Sequence, residues 1–331
     1  MTRVSPWRVC AACILACIAF AQPGWAEPSV KDLAARIELR AIETLTLSDE
    51  QFLTGDKNAK ATTIAGELRL PQGGSGRLPA VVLLHGSGGV GPGPEFWSKE
   101  FNEMGIASYV LDSFTGRGLV STSADQALLG RLNMILDAYR AFDMLAAHNR
   151  IDPARIAVMG FSRGGQSALY SAMTRFHDLW DPQAKFAAHI PLYASCSTSF
   201  IGDTDVTPVP IRQFHGLADD YVTVAPCRPY YERLRAAGRD AKLTEYPDAH
   251  HAFDNPLGPQ TPTVARGSQS TKNCVLKEET RGVIINAQSG APFTYKDPCV
   301  STDPHLGYNE AATNATRKEV KALLRTVFKV E

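Results

Sequence analysis

Charge of either sign is not in excess in this 331-residue chain: 34 lysines and arginines balance 34 aspartates and glutamates. That balance gives no electrostatic reason to expect a nucleic acid or an anionic membrane surface as partner. Beyond residue 26 no apolar run approaches the roughly 20 residues of a membrane span, so no stable insertion in a bilayer is expected of the body of the chain. Cysteine is sparse there as well: Cys196, Cys227, Cys274 and Cys299 form no C-x-x-C pair, and no histidines pair at ligand spacing, so no metal is expected. Internal repeats and low-complexity tracts are absent too.

What is present begins with a leader. Arg3 and Arg8 make a positive start, Val9 to Ala21 is an apolar stretch, and Gly24-Trp25-Ala26 ends in the small residues that signal peptidase requires. Residues 1–26 therefore read as a signal peptide cleaved near Ala26, and the protein as periplasmic or secreted. An uncleaved anchor and a lipoprotein signal at Cys17 are the alternatives; apolar Ile18-Ala19-Phe20 after Cys17 speaks against the second. Removing Arg3 and Arg8 leaves 32 basic against 34 acidic residues, a near-neutral body. Four cysteines in an oxidising compartment suggest two disulfides, for which three pairings exist. Neighbours along the chain, Cys196 with Cys227 and Cys274 with Cys299, are the expected pairs.

From about residue 62 short apolar runs alternate with longer amphipathic stretches, the signature of a mainly parallel sheet with helices on both faces. Strands are expected at 66–70, 80–84, 106–111, 156–159, 187–193, 209–214 and 241–246. Helices are expected at 96–104, 125–148, 164–173, 227–237 and 318–330. Residues 27–331 read as one α/β domain. Leu257 to Pro304, rich in Gly, Pro, Thr, Ser and Asn, breaks the rhythm and reads as a surface insertion, stapled if Cys274 and Cys299 are joined.

The chemistry centres on Gly160-Phe161-Ser162-Arg163-Gly164, directly after an apolar strand and directly before a helix. A G-x-S-x-G in that setting is a nucleophile elbow, whose glycines let serine occupy a strained strand-to-helix turn. A serine hydroxyl needs a base, and the base an orienting acid, in the chain order Ser, acid, His for this fold. The loop His215 to Val222 offers Asp219, preferred to Asp220, and the loop Tyr246 to Phe253 offers His251, preferred to His250. Both follow strands and so sit at the carboxyl end of the sheet. Oxyanion donors are expected from the backbone N–H of Arg163 and, after the 80–84 strand, of Ser87, with Gly88 as alternative. His85 reads as a structural hydrogen bonder.

These motifs, together with Leu83-Leu84-His85-Gly86 to Gly89 and Asp112 to Gly118, resemble the dienelactone hydrolase family, of α/β-hydrolase fold, from about Gly66 to the final helix. The resemblance implies a Ser162, Asp219, His251 triad acting without metal or organic cofactor on a small-molecule ester, lactone or related acyl bond. The family's founding members carry cysteine at the elbow, and Ser162 in its place favours ordinary ester chemistry. Arg117 is a candidate partner for a substrate carboxylate, with a structural salt bridge or loop anchor as the preferred reading. An acyltransferase, thioesterase or peptidase would use the same acyl-enzyme. A non-catalytic binding protein of this fold is the reading from another class.

Overall fold

Leu78–Leu84 is buried at every residue, which only a central strand with both faces covered allows. The computed structural model describes residue 2, residues 34–72 and residues 76–330; the expected leader lies outside them, save residue 2. Along the chain run β1 (Ala34–Thr46), α1 (Asp49–Thr54), β2 (Lys60–Pro71), β3 (Leu78–Leu84), α2 (Pro92–Glu103), β4 (Ala107–Asp112) and α3 (Asn133–Ala146). There follow β5 (Ile151–Phe161), α4 (Arg163–Tyr170), α5 (Thr174–Trp180), β6 (His189–Leu192), β7 (Thr198–Ser199), β8 (Ile211–Gly216) and α6 (Cys227–Ala236). The last elements are β9 (Ala241–Tyr246), β10 (Thr263–Val264), β11 (Leu276–Thr280), β12 (Val283–Asn286), β13 (His305–Leu306) and α7 (Glu310–Phe328).

The main sheet has eight strands in the order β1-β2-β4-β3-β5-β6-β8-β9. β1, β2 and β4 pair antiparallel, and every pairing from β4 across to β9 is parallel. This is the α/β-hydrolase fold. Alternation along β3 feeds two cores: Ala80, Val82 and Leu84 join the layer of α3, α4, α5 and α6, while Val81 and Leu83 join that of α2 and α7. Because β3, β5, β6, β8 and β9 run parallel, their carboxyl ends lie on one edge, where the loops of interest begin.

Two local expectations change. No continuous helix spans 125–148: a 3₁₀ turn at Gln126–Leu128 precedes α3, because the Arg163 guanidinium takes the Gln126, Leu129 and Gly130 carbonyls that a longer helix would use. A Cβ on Gly130 would also stand 2.5 Å from the Leu47 carbonyl oxygen. The final helix starts earlier than expected, at Glu310, capped by the Asn309 side chain accepting from the Ala312 N–H at 2.9 Å.

Arg117 requires a correction. All five of its N–H donors are occupied: by Asp137 at 2.7 and 2.8 Å, by the Ser113 and Leu45 carbonyls, and by Thr46 Oγ1. Its side chain and that of Asp137 are buried. The bidentate pair pins the turn after β4 to α3, and no donor is left for a substrate.

The cysteines form two disulfides, Cys196–Cys227 and Cys274–Cys299, as expected of neighbours along the chain. The first ties the segment after β6 to the start of α6. The second lies in the irregular stretch, where β11 pairs with β12 and, in parallel, with β7 to make a small sheet. No helix among the described residues is long and apolar enough to cross a membrane.

The Arg117–Asp137 pair makes a prediction about stability. Asp137→Ala leaves a buried guanidinium without its counter-charge, so unfolding in urea is expected to show a loss of about 3–5 kcal/mol. A loss under about 1 kcal/mol, typical of an exposed pair, would contradict the burial described.

Candidate active site

β5 delivers the chain into a turn so tight that side chains do not fit. A Cβ on Gly160 would stand 2.1 Å from the Gly164 carbonyl oxygen, and one on Gly164 would stand 2.2 Å from that of Leu84. Between them Ser162 adopts φ 55°, ψ −113°, a conformation rare for a residue with a side chain. The Ser162 N–H donates to the Leu192 carbonyl at 3.1 Å, and its own carbonyl accepts from Gln166 at 2.8 Å. The strained turn is thereby held from both sides, with the hydroxyl presented above the sheet.

That hydroxyl meets His251. His251 Nε2 lies 2.9 Å from Ser162 Oγ, and His251 Nδ1 lies 2.7 Å from Asp219 Oδ2. An ionised Asp219 can only accept, so His251 carries its proton on Nδ1 and leaves Nε2 free to accept from the serine. Asp219 is buried, yet its carboxylate is richly solvated by the protein. Oδ1 accepts the Tyr221 and Val222 N–H groups at 2.9 and 2.8 Å. Burial pushes its pKa up, but the His251 and His215 imidazoles outweigh burial and hold it well below the usual carboxylate range. His215 is oriented by Gln213 at 3.0 Å and donates from Nε2 to the Val222 carbonyl at 2.7 Å.

The runners-up go elsewhere. Asp220 accepts from the His305 N–H at 2.8 Å and faces the His305 ring and Lys272. The His250 ring lies 6.5 Å from that of His305. Among the described residues, neither the Ser87 nor the Arg163 backbone N–H has a protein acceptor. Ser87 is fixed through its carbonyl, which accepts from Thr122 N at 2.8 Å and Ser121 Oγ at 3.0 Å. His85 braces the same loop: its Nδ1–H donates to Gly86 O at 2.7 Å and its Nε2 accepts from Ser113 N at 3.1 Å. Burial lowers the His85 pKa, so the ring is neutral, as that pattern requires.

The dienelactone hydrolase family model matches residues 64–328. The chain belongs to the dienelactone hydrolase family. It is a hydrolase. No curated protein matches this hydrolase significantly in sequence. Among solved structures it is similar to a dienelactone hydrolase-like promiscuous phosphotriesterase from metagenomic libraries, at TM-score 0.56 and 18% identity, over 88% of this chain and 98% of that one. A Klebsiella pneumoniae subsp. pneumoniae protein assigned to the dienelactone hydrolases is similar at TM-score 0.53 and 16% identity, over 87% and 98% of the two chains. At such identities the likeness is one of fold.

Several residues of the hydrolase site carry no local sequence signal. The His251 ring packs against Tyr193 and Tyr221, each centroid 4.6 Å away and the rings inclined at 60° and 45°. Tyr193, at φ 39°, donates its hydroxyl to buried Asp254 at 2.8 Å, and Trp97 Nε1 donates to the other oxygen at 2.7 Å. Only its place after the His-x-Phe motif could have marked Asp254. Arg163 contributes its side chain as well as its N–H. The buried guanidinium meets Gln126 Oε1 at 2.9 Å and Thr122 Oγ1 at 3.2 Å, and its hydrogen-bond acceptors among the described residues are all neutral oxygens.

The depressed Asp219 pKa has a definite sign. Its contribution to stability is complete above the unfolded-state value of about 4 and is lost as pH falls through the lower folded-state value. Asp219→Asn removes that contribution, so melting temperatures of wild type and variant should converge on acidification below about pH 4. Parallel melting curves through the acid range would show that Asp219 is not held ionised by the two histidines.

Proposed function

We propose that this hydrolase cleaves a carboxylic ester or lactone through an acyl-enzyme on Ser162, with His251 as general base and acid and Asp219 as orienting acid. What supports the reading is one unbroken chain of contacts, Ser162 Oγ to His251 Nε2 at 2.9 Å and His251 Nδ1 to Asp219 at 2.7 Å, on a strained elbow. Ser162 Oγ attacks the acyl carbon as its proton passes to His251 Nε2. The oxyanion so formed is met by the unpaired N–H groups of Ser87 and of Arg163, which as the first residue of α4 adds the favourable end of a helix. Collapse breaks the bond to the leaving oxygen, which takes the proton from His251. Water repeats the sequence, releases the acid and restores the serine. Neither metal nor organic cofactor enters these steps. Export after cleavage near Ala26 accords with two disulfides, which need an oxidising compartment to persist.

Ser162→Ala should lower kcat on p-nitrophenyl acetate by about three orders of magnitude or more and abolish labelling by a fluorophosphonate probe. His251→Ala should cost about as much, and the double variant little more, because the pair acts as a unit. Wild-type protein that neither labels at residue 162 nor hydrolyses the ester would refute the reading.

A further inference from the structure

Two cavities of very different size meet at Ser162. A cleft of about 300 Å³ opens on one side, lined by His251, Tyr193 and the glycine-rich 86–93 loop; a chamber of about 50 Å³ lies on the other. Ser87, Ser162 and Tyr221 line both and form the seam, whereas His251 lines the cleft and not the chamber. In the serine mechanism the imidazole hands its proton to the departing oxygen, so the alcohol part of an ester must lie on the His251 side. The acyl part then points the other way.

We infer that the chamber is the acyl site and restricts this enzyme to short acyl groups of about two to three carbons, leaving the bulk of the substrate on the alcohol side. The inference rests on the reading of Ser162 as nucleophile. One water needs roughly 10–15 Å³ of such space, so the chamber takes about four non-hydrogen atoms. Its lining includes Gln166, Ser197 and Thr271, polar side chains that a long alkyl chain would strip of water without replacing their hydrogen bonds.

What closes the chamber comes from the irregular segment. Arg131 and Tyr295 line both the chamber and a groove of about 470 Å³ beside α1, so these two side chains are the partition between them. The partition is braced in series. Arg131 pairs with Asp49 at 3.0 Å and lies over the Phe293 ring at 5.1 Å, and Phe293 meets the Tyr295 ring edge-on at 5.3 Å. Cys274–Cys299 closes the loop that carries Tyr295. Just before that loop, Ser270 Oγ donates to the Tyr221 carbonyl at 2.6 Å, fixing the segment to the strand-end loop that holds Asp219. Tyr295 is thus a specificity-determining residue.

The test is kcat/KM on p-nitrophenyl acetate, butyrate, hexanoate and octanoate, with fluorophosphonate labelling of Ser162 read in parallel. Wild type should fall at least about tenfold from acetate to hexanoate, and Tyr295→Ala, which joins chamber to groove, should raise the hexanoate-to-acetate ratio at least about tenfold. Tyr295→Phe keeps the partition and should keep the wild-type ratio. If Tyr295→Ala no longer labels, the Cys274→Ser/Cys299→Ser variant, with the same wall loosened, should raise the ratio instead. A wild-type rate that is flat or rises with chain length while Ser162 labels overturns the acyl-site assignment alone, as does an unchanged ratio in a variant that labels. Absence of both labelling and turnover in wild type overturns the nucleophile reading and this one together.

Discussion

A guanidinium removed from water, with no carboxylate to face, is tolerable only when oxygen acceptors ring it. Arg163 is in that position, one residue after Ser162, and its acceptors are the Thr122 hydroxyl, the Gln126 amide and three carbonyls of residues 126–130. That requirement shapes much of the site. It breaks the helix before α3, folds residues 122–130 against the start of α4, and so builds one side of the chamber. Gln126 then passes the constraint on, since its amide oxygen accepts from Ser87 Oγ at 2.9 Å and its backbone N–H donates to Gln269 at 2.9 Å. One buried cation therefore links the elbow, the loop of Ser87 and the clipped segment.

The electrostatics around His251 are arranged with comparable economy. Asp219 carries the negative charge and is surrounded by donors. Asp254, 35 residues further on, is equally buried, but burial raises its pKa and its partners are the neutral Trp97 and Tyr193. Two carboxyl groups close to one imidazole thus have opposed tendencies, set by surroundings alone. The first faces the ring nitrogen; the second fixes Tyr193, which packs against the ring. Asp219 holds the ring through Nδ1, and Tyr193 and Tyr221 pack against it.

Much of this was legible in the sequence because the informative residues are local. Strands buried on both faces read as unbroken apolar runs, and Ser162, Asp219 and His251 each sit in short motifs at strand ends, where the chain must turn. β1 escaped notice because it is a long edge strand: Ile37 and Leu39 are exposed, and the pattern lacks the contrast that burial produces. The helix expected over 125–148 has good periodicity, and a distant guanidinium together with the close approach of Gly130 to Leu47 cancels its first turns. Arg117 was open to two readings because its role depends on Asp137, 20 residues away on α3, and nothing local reveals that pairing. Tyr193, Tyr221 and Tyr295 depend likewise on contacts between segments far apart in the chain.

The unequal cavities on either side of Ser162 also govern traffic. On the proposed acyl-enzyme reading, an alcohol freed into the wide cleft departs on the His251 side, and water takes its place there. The acid, on the acyl-site assignment, forms in the narrower chamber of about 50 Å³. In that sequence the alcohol leaves first and the acid last, because the acid exists only once water has cleaved the acyl-enzyme; the walls set the side on which each departs. Accumulating acid then competes with fresh ester for the nucleophile, so turnover slows wherever the acid is not carried away.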